Sequence, residues 1–247
     1  MALFVLSVSL GTAFSQETRA LSDEQVKERL AFIENALYSG QSRAKTWWYG
    51  WLAGYSAGAV VMGTLAAVHW DDTKSDPQTG QVVQDRGFAE DMLVGGATFA
   101  LGVGGLLIDP FDPAYGPNEL RAMPESTVEE CRLKLERAEE LLRECARREK
   151  DGRGWLTHLL NLGVNAAAGL VTVLAFDRSW SDGLITFATG EAVSLLNIYT
   201  QPRRAARDLE NYEIKYRGKQ GAYLRTTGES RFYCHLSPRG LSLGLRF

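Results

Sequence analysis

Residues 46–70 run for 25 positions without a formal charge, counting histidine as neutral. A bilayer core is crossed by about 20 apolar residues in a helix. An uncharged run longer than one core helix is unusual in a soluble bundle. Trp47, Trp48 and Trp70 bracket the run as interface anchors bracket a membrane span. A second uncharged run, 155–176, opens on Trp155. Two shorter apolar segments, 92–108 and 184–201, return towards the starting side, and the last contains Glu191. The two long runs reach spanning length and the two short ones sit at its lower edge, so membrane insertion is expected.

The chain also aligns with itself. A shift of 108 places Glu28-Arg29 on Glu136-Arg137, Leu37 on Cys145, Trp47 on Trp155, Ala59 on Ala167 and Thr64 on Thr172. After a shorter second loop the offset becomes 92, and 88–110 falls on 180–202. The expected fold is therefore mainly α: two repeated helical hairpins, 22–110 and 126–202, joined by a Pro-rich linker at 111–125. Four long apolar helices carry amphipathic coiled-coil extensions, and a small C-terminal antiparallel β segment follows.

Helix starts are marked by Ser22 with Gln25 and by Ser126 with Glu129, both capping-box patterns. Past the second start, Val128, Cys131, Leu135, Ala138, Leu142 and Cys145 alternate three- and four-residue steps, as on a coiled-coil seam. Val26, Leu30, Ile33 and Leu37 keep similar register in the first copy. The simplest partner for each seam is the other one. Cys131 and Cys145 sit about 21 Å apart on one helix and cannot bond to each other. Either has Cys234 or another chain as its only partner, and buried thiols are the simpler expectation.

Residues 1–15 are apolar and end in Ala13-Phe14-Ser15, the small-residue pattern of a secretory signal or an N-terminal anchor, with no basic n-region. Charge bias points elsewhere. Loop 71–91 has two basic residues, Lys74 and Arg86, against six acidic ones. The linker at 109–154 and the tail beyond Pro202 are rich in Lys and Arg, which places both ends and the linker in the cytoplasm. A cleaved signal places the mature amino terminus outside. The two inferences are incompatible for four simple spans.

Beyond residue 207 the pattern reads as strands: YEIKYR (212–217), AYLRTT (222–227), RFYCHL (231–236) and GLSLGLRF (240–247). The last alternates Leu241, Leu243, Leu245 and Phe247 with small or charged residues, and resembles the closing strand of bacterial outer-membrane barrels. That resemblance covers eight residues. Four short strands fall below the eight-stranded minimum of such a barrel, so residues 208–247 are expected to form a small sheet.

The candidate chemistry is sparse. Gly54-Tyr55-Ser56-Ala57-Gly58 matches the nucleophile elbow of serine hydrolases, which requires a strand, a sharp turn and a helix. The preceding residues read as helix back to Ser22, and Ser56 falls on Val164 in the repeat. A rhomboid-like pairing with His158 leaves about 9 Å along the axis, where about 3 Å is needed. Gly50, Gly54 and Gly58, with Gly163 and Ala167, read better as small residues on helix-packing faces. Glu191, opposite the level of Gly169 and one turn from Asn165, forms with Asn165 a candidate intramembrane polar pair. No cofactor, metal-ligand cluster or catalytic set emerges, and a net charge of −3 offers no case for nucleic acid.

The sequence reading is thus a non-enzymatic bacterial cell-envelope protein that anchors or scaffolds a larger assembly, with the inner membrane favoured over the periplasm or outer membrane. Its expected partners are membrane lipids and a protein or a second copy, with no small-molecule substrate identifiable. The alternatives are a small helical channel or carrier using Glu191, and a serine hydrolase using Ser56.

Overall fold

The structure, a computed structural model, describes residues 21–218 and the backbone of two strands at 231–237 and 240–246. The described residues are mainly helical, with two small antiparallel sheets of two strands each. Residues 1–15 and 222–227 lie outside them. Residues through Leu209 form one compact unit and the chain from Glu210 a second.

Helix α1, Asp23–Val68, opens on a reciprocal cap. The Gln25 backbone N–H donates to Ser22 Oγ at 3.3 Å, and the Ser22 N–H donates to Gln25 Oε1 at 3.0 Å. The helix then continues unbroken for 46 residues, about 69 Å at 1.5 Å per residue, from its charged half into its apolar half. A β-hairpin follows, β1 at Thr73–Ser75 and β2 at Val82–Gln84, around a turn held by Asp76 Oδ1, which accepts the Gln78 N–H at 2.7 Å. Helix α2, Gly87–Ile108, returns alongside α1.

The segment 111–125, expected as a Pro-rich linker, contains helix α3, Asp112–Ala122. Pro113 lies in its first turn, where no intrahelical N–H is required. The helix turns back along α1. Gln41 Nε2 donates to the Ala114 carbonyl at 3.1 Å and to Asn118 Oδ1 at 2.8 Å, while Gln41 Oε1 accepts from Arg121 at 2.8 Å.

Helix α4, Val128–Asp151, starts one residue later than the pattern Ser126 with Glu129 suggests. Its cap is Thr127 with Glu130, and the Ser126 N–H donates to the same Glu130 carboxylate at 2.8 Å. Adjacent hydroxyls facing adjacent glutamates make the two registers indistinguishable by spacing. Val26, Leu30, Ile33 and Leu37 of α1 are buried, as are Cys131, Leu135, Ala138, Leu142 and Cys145 of α4, whereas Val128 is 43% exposed. The two helices pack together. Arg132 to Asp23 at 2.7 Å and Lys134 to Glu34 at 2.8 Å tie their flanks. Cys131 and Cys145 are free and buried, and burial pushes the Cys145 thiol above its ordinary range.

Helices α5, Trp155–Leu174, and α6, Trp180–Thr200, form the second hairpin, and α2 touches both. Helix α7 covers Arg204–Arg217 and overturns the strand reading of 212–217. Tyr212 and Tyr216 stand one helical turn apart with rings 5.1 Å from each other, a helical i, i+4 pair where short-range composition suggested alternation. Strands β3, Arg231–Ser237, and β4, Gly240–Arg246, pair antiparallel, Ser237 opposite Gly240.

Candidate functional site

The candidate site is the seam between α5 and α6, built from small residues that let two backbones meet. A Cβ on Gly169 would lie 2.6 Å from the Gly183 carbonyl oxygen, and one on Gly183 would lie 2.8 Å from the Gly169 carbonyl oxygen. Neither contact can be relieved by rotating a side chain. Two turns along α6 from Gly183 towards Thr200, a Cβ on Gly190 would run into the Asn165 amide. The missing side chain at Gly190 makes room for that amide.

Asn165, 1% exposed, uses the space fully. Its Nδ2 donates to Glu191 Oε2 at 2.9 Å and to Ser194 Oγ at 3.1 Å. Two turns along α5, Thr172 Oγ1 lies 3.4 Å from Thr186 Oγ1 and donates to the Ala168 carbonyl at 3.2 Å. The seam is therefore a ladder of polar contacts flanking a glycine-on-glycine crossing. In a low-dielectric setting such groups need each other, because an unmet donor there is costly.

Of the other small residues, only Gly58 packs within the chain: a Cβ there would sit 2.9 Å from the Phe99 ring. Gly50, Gly54 and Gly163 would meet nothing within 4 Å, and Ala167 is exposed. Gly50, Gly54 and Gly163 thus make no close helix–helix contact among the described residues of the single chain. The α1–α2 crossing uses Gly95, Gly96 and Gly102 instead, which face Met62, the Gly63 backbone and the Tyr55 ring. The crossing is mutual: Met62 and Tyr55 of α1 fill gaps on α2, and Phe99 of α2 sits against Gly58 of α1.

Two of the four tryptophans expected as interface anchors pack inside the chain. Trp47 and Trp48 are buried, because α3 brings Phe111, Ala114 and Tyr115 against them. Trp47 Nε1 and Trp51 Nε1 both donate to Thr200 Oγ1, each at 3.1 Å, joining α1 to the end of α6. Trp70 is partly exposed with the Arg86 guanidinium 5.0 Å from its ring, and Trp155 is 76% exposed.

Both loop ends of the hairpins meet at the opposite end. Arg178 donates to the Gly87 carbonyl at 2.7 Å and lies 3.4 Å from Asp91, 3.2 Å from Asp182 and 3.8 Å from Glu90. Asp182 is also the capping partner of Ser179 at the start of α6. This Arg178 cluster was not anticipated. A lone arginine between two aspartates in a short loop is the signal it carried.

Ser56 lies in the middle of α1, with no strand or sharp turn before it, so the nucleophile-elbow reading is overturned. Among the described residues no group of three His, Cys, Asp or Glu side chains is placed to hold a metal ion.

Fold and site together define a mainly helical protein with three segments long and apolar enough to cross a membrane: α1, the stretch Gly87–Ala122 containing α2, and α5. Only 6%, 17% and 22% of their apolar windows are buried, so these faces point outward. This is compatible with a membrane location. No family model, curated protein or solved structure matches the chain.

Proposed function

We propose that the protein is a non-enzymatic envelope protein that embeds its two hairpins in a membrane and presents the layer of α1, α3 and α4 as a scaffold for a larger assembly. The observation carrying this reading is the contrast between the two halves of α1. Its charged half is covered by α3 and α4, while its apolar half leaves Val60, Val61 and Val68 more than half exposed. Lipid is the natural cover for such a face. The helix joins both environments without a break, so anything bound to the charged half is tied to the bilayer. Two copies of one hairpin unit, each with a coiled-coil extension, account for the side-by-side packing of α1 and α4.

Alkaline extraction of membranes followed by crosslinking tests the proposal. The protein should stay in the membrane pellet and crosslink to a partner or a second copy through Lys27 and the exposed side chains of α4. Release of the protein by alkali, or a strictly monomeric and partner-free species in mild detergent, argues against it.

The Asn165–Glu191 contact supports a second reading, a small channel or carrier with Glu191 as a selectivity or proton residue. Replacing Glu191 with Gln should then change flux in reconstituted vesicles while leaving folding intact. Unchanged flux removes that role.

A further inference from the structure

Among the described residues, the cations at the loop ends of the hairpins are compensated, whereas most of those without an ion pair lie at the other end. At the loop ends, Lys74 pairs with Asp85 at 2.9 Å, Arg86 donates to the Trp70 carbonyl at 3.2 Å, and Arg178 is ringed by three carboxylates. In the helical layer, Arg132, Lys134 and Arg137 each hold acidic partners. The exceptions gather where the apolar segments end beside Trp47, Trp155 and Thr200. Arg43, Lys45, Lys150, Arg203 and Arg207 have no ion-pair partner among the described residues, and all but Lys45 are exposed. Lys27 shares that lack but lies 18 residues before Lys45 on α1, about 27 Å along the axis.

These residues are brought to one level by direct contacts. Gln201 Nε2 donates to the Glu149 carbonyl at 3.2 Å, and Arg153 donates to the Tyr199 and Gln201 carbonyls at 2.9 and 2.6 Å. A Cβ on Gly40 would touch Arg204 at 3.4 Å, which sets the start of α7 against α1. Arg153 is thus held at the mouth of α5 with its Nε buried and without a hydrogen-bond partner. Burial and the neighbouring Arg203 charge both work against its cationic form. The Glu149 carboxylate offsets part of this, but exposed Arg43, Lys150, Arg203 and Arg207 leave this end of the apolar helices with a surplus of cationic side chains, which favours an anion.

We propose that this basic collar, centred on Arg153 and Arg203, binds the phosphate headgroups of anionic phospholipids in the leaflet it faces. The charge complements that surface, the collar stands at the level where headgroups meet the apolar helices, and exposed Trp155 marks the boundary. The collar then sets orientation: its end faces the more anionic leaflet, and the acidic loop ends face the other. The inference rests on the membrane-anchored reading above.

The test uses the full chain reconstituted in vesicles of phosphatidylcholine with one-fifth phosphatidylglycerol, extracted gently and examined by native mass spectrometry for retained lipid. Phosphatidylglycerol should be retained several-fold above its share of the bilayer, and the excess should shrink in high salt. Arg203 makes no hydrogen bond or ion pair among the described residues, and Arg203→Gln should lower the excess about fivefold. Arg153→Gln should lower it as well, and Lys74→Gln at the far end should leave it unchanged. Retention equal to the bulk ratio, or an excess unaffected by Arg203→Gln, overturns the inference while leaving the anchored reading in place. Failure of the protein to float with pure phosphatidylcholine vesicles overturns both.

Discussion

Asn165 donates a 2.9 Å hydrogen bond to Glu191 across the α5–α6 interface, and the same amide nitrogen reaches Ser194 at 3.1 Å. A buried amide with two side-chain acceptors on one neighbouring helix fixes both the rotation and the register of that helix. Gly190 is what allows the approach, since any side chain there would occupy the amide's place.

Asn165→Ala should destabilise the α5–α6 hairpin by about 1–2 kcal/mol, the cost of leaving buried polar groups unmet. Glu191→Gln should cost less, because its amide oxygen still accepts from Asn165. Reversible unfolding in mixed micelles reads both. Equal losses would show that the charge of Glu191, and not its acceptor role, holds the seam.

Gly183→Ala should cost roughly 2 kcal/mol or more, since the new methyl would press on the Gly169 carbonyl and on Val173. Gly54→Ala should change monomer stability by less than about 0.5 kcal/mol, since its surroundings are open. The same unfolding assay distinguishes them. A large loss at Gly54 would reveal a contact made outside the single chain.

Thr200→Val removes the shared acceptor of two indoles while preserving shape. The expected cost is about 1–3 kcal/mol, with the larger share from Trp47, whose side chain is buried. Tryptophan emission should shift as the indole N–H groups lose their partner. An unshifted spectrum with unchanged stability would mean that both indoles find other acceptors.

Glu149 carries a pH dependence. Its carboxyl is raised above the ordinary range, first by burial, against the Ala206 N–H that donates to it at 2.9 Å. A raised carboxyl favours the folded state most when protonated. Its contribution is therefore complete below the unfolded-state value near 4.5 and is lost as pH rises through the elevated folded-state value. Glu149→Gln should flatten this stretch of the stability profile and make the protein relatively more stable at neutral pH. A slope that persists in the variant would place its origin in another group.

The apolar runs, the start of α1, the mainly helical character and the heavier basic charge at one end were legible in residue order alone. Each depends on period, length or local capping, and these are properties of neighbours in the chain. Even locally there were ties, as at Ser126 and Thr127, where two caps fit equally well until the helix settles.

Other features were decided only by the tertiary structure. Trp47 and Trp48 look like interface residues until α3 folds back over them, and Gly50 and Gly54 look like a packing face until α2 crosses elsewhere. Whether a glycine is a contact or a gap depends on where a second backbone passes. That position is set by the fit of bulky side chains such as Phe99, Tyr55 and Met62 into facing gaps, which requires both helices at once. Asn165 and Glu191 could be named from the sequence as a candidate pair. The 2.9 Å contact between them exists because Gly169, Gly183 and Gly190 let α5 and α6 come together.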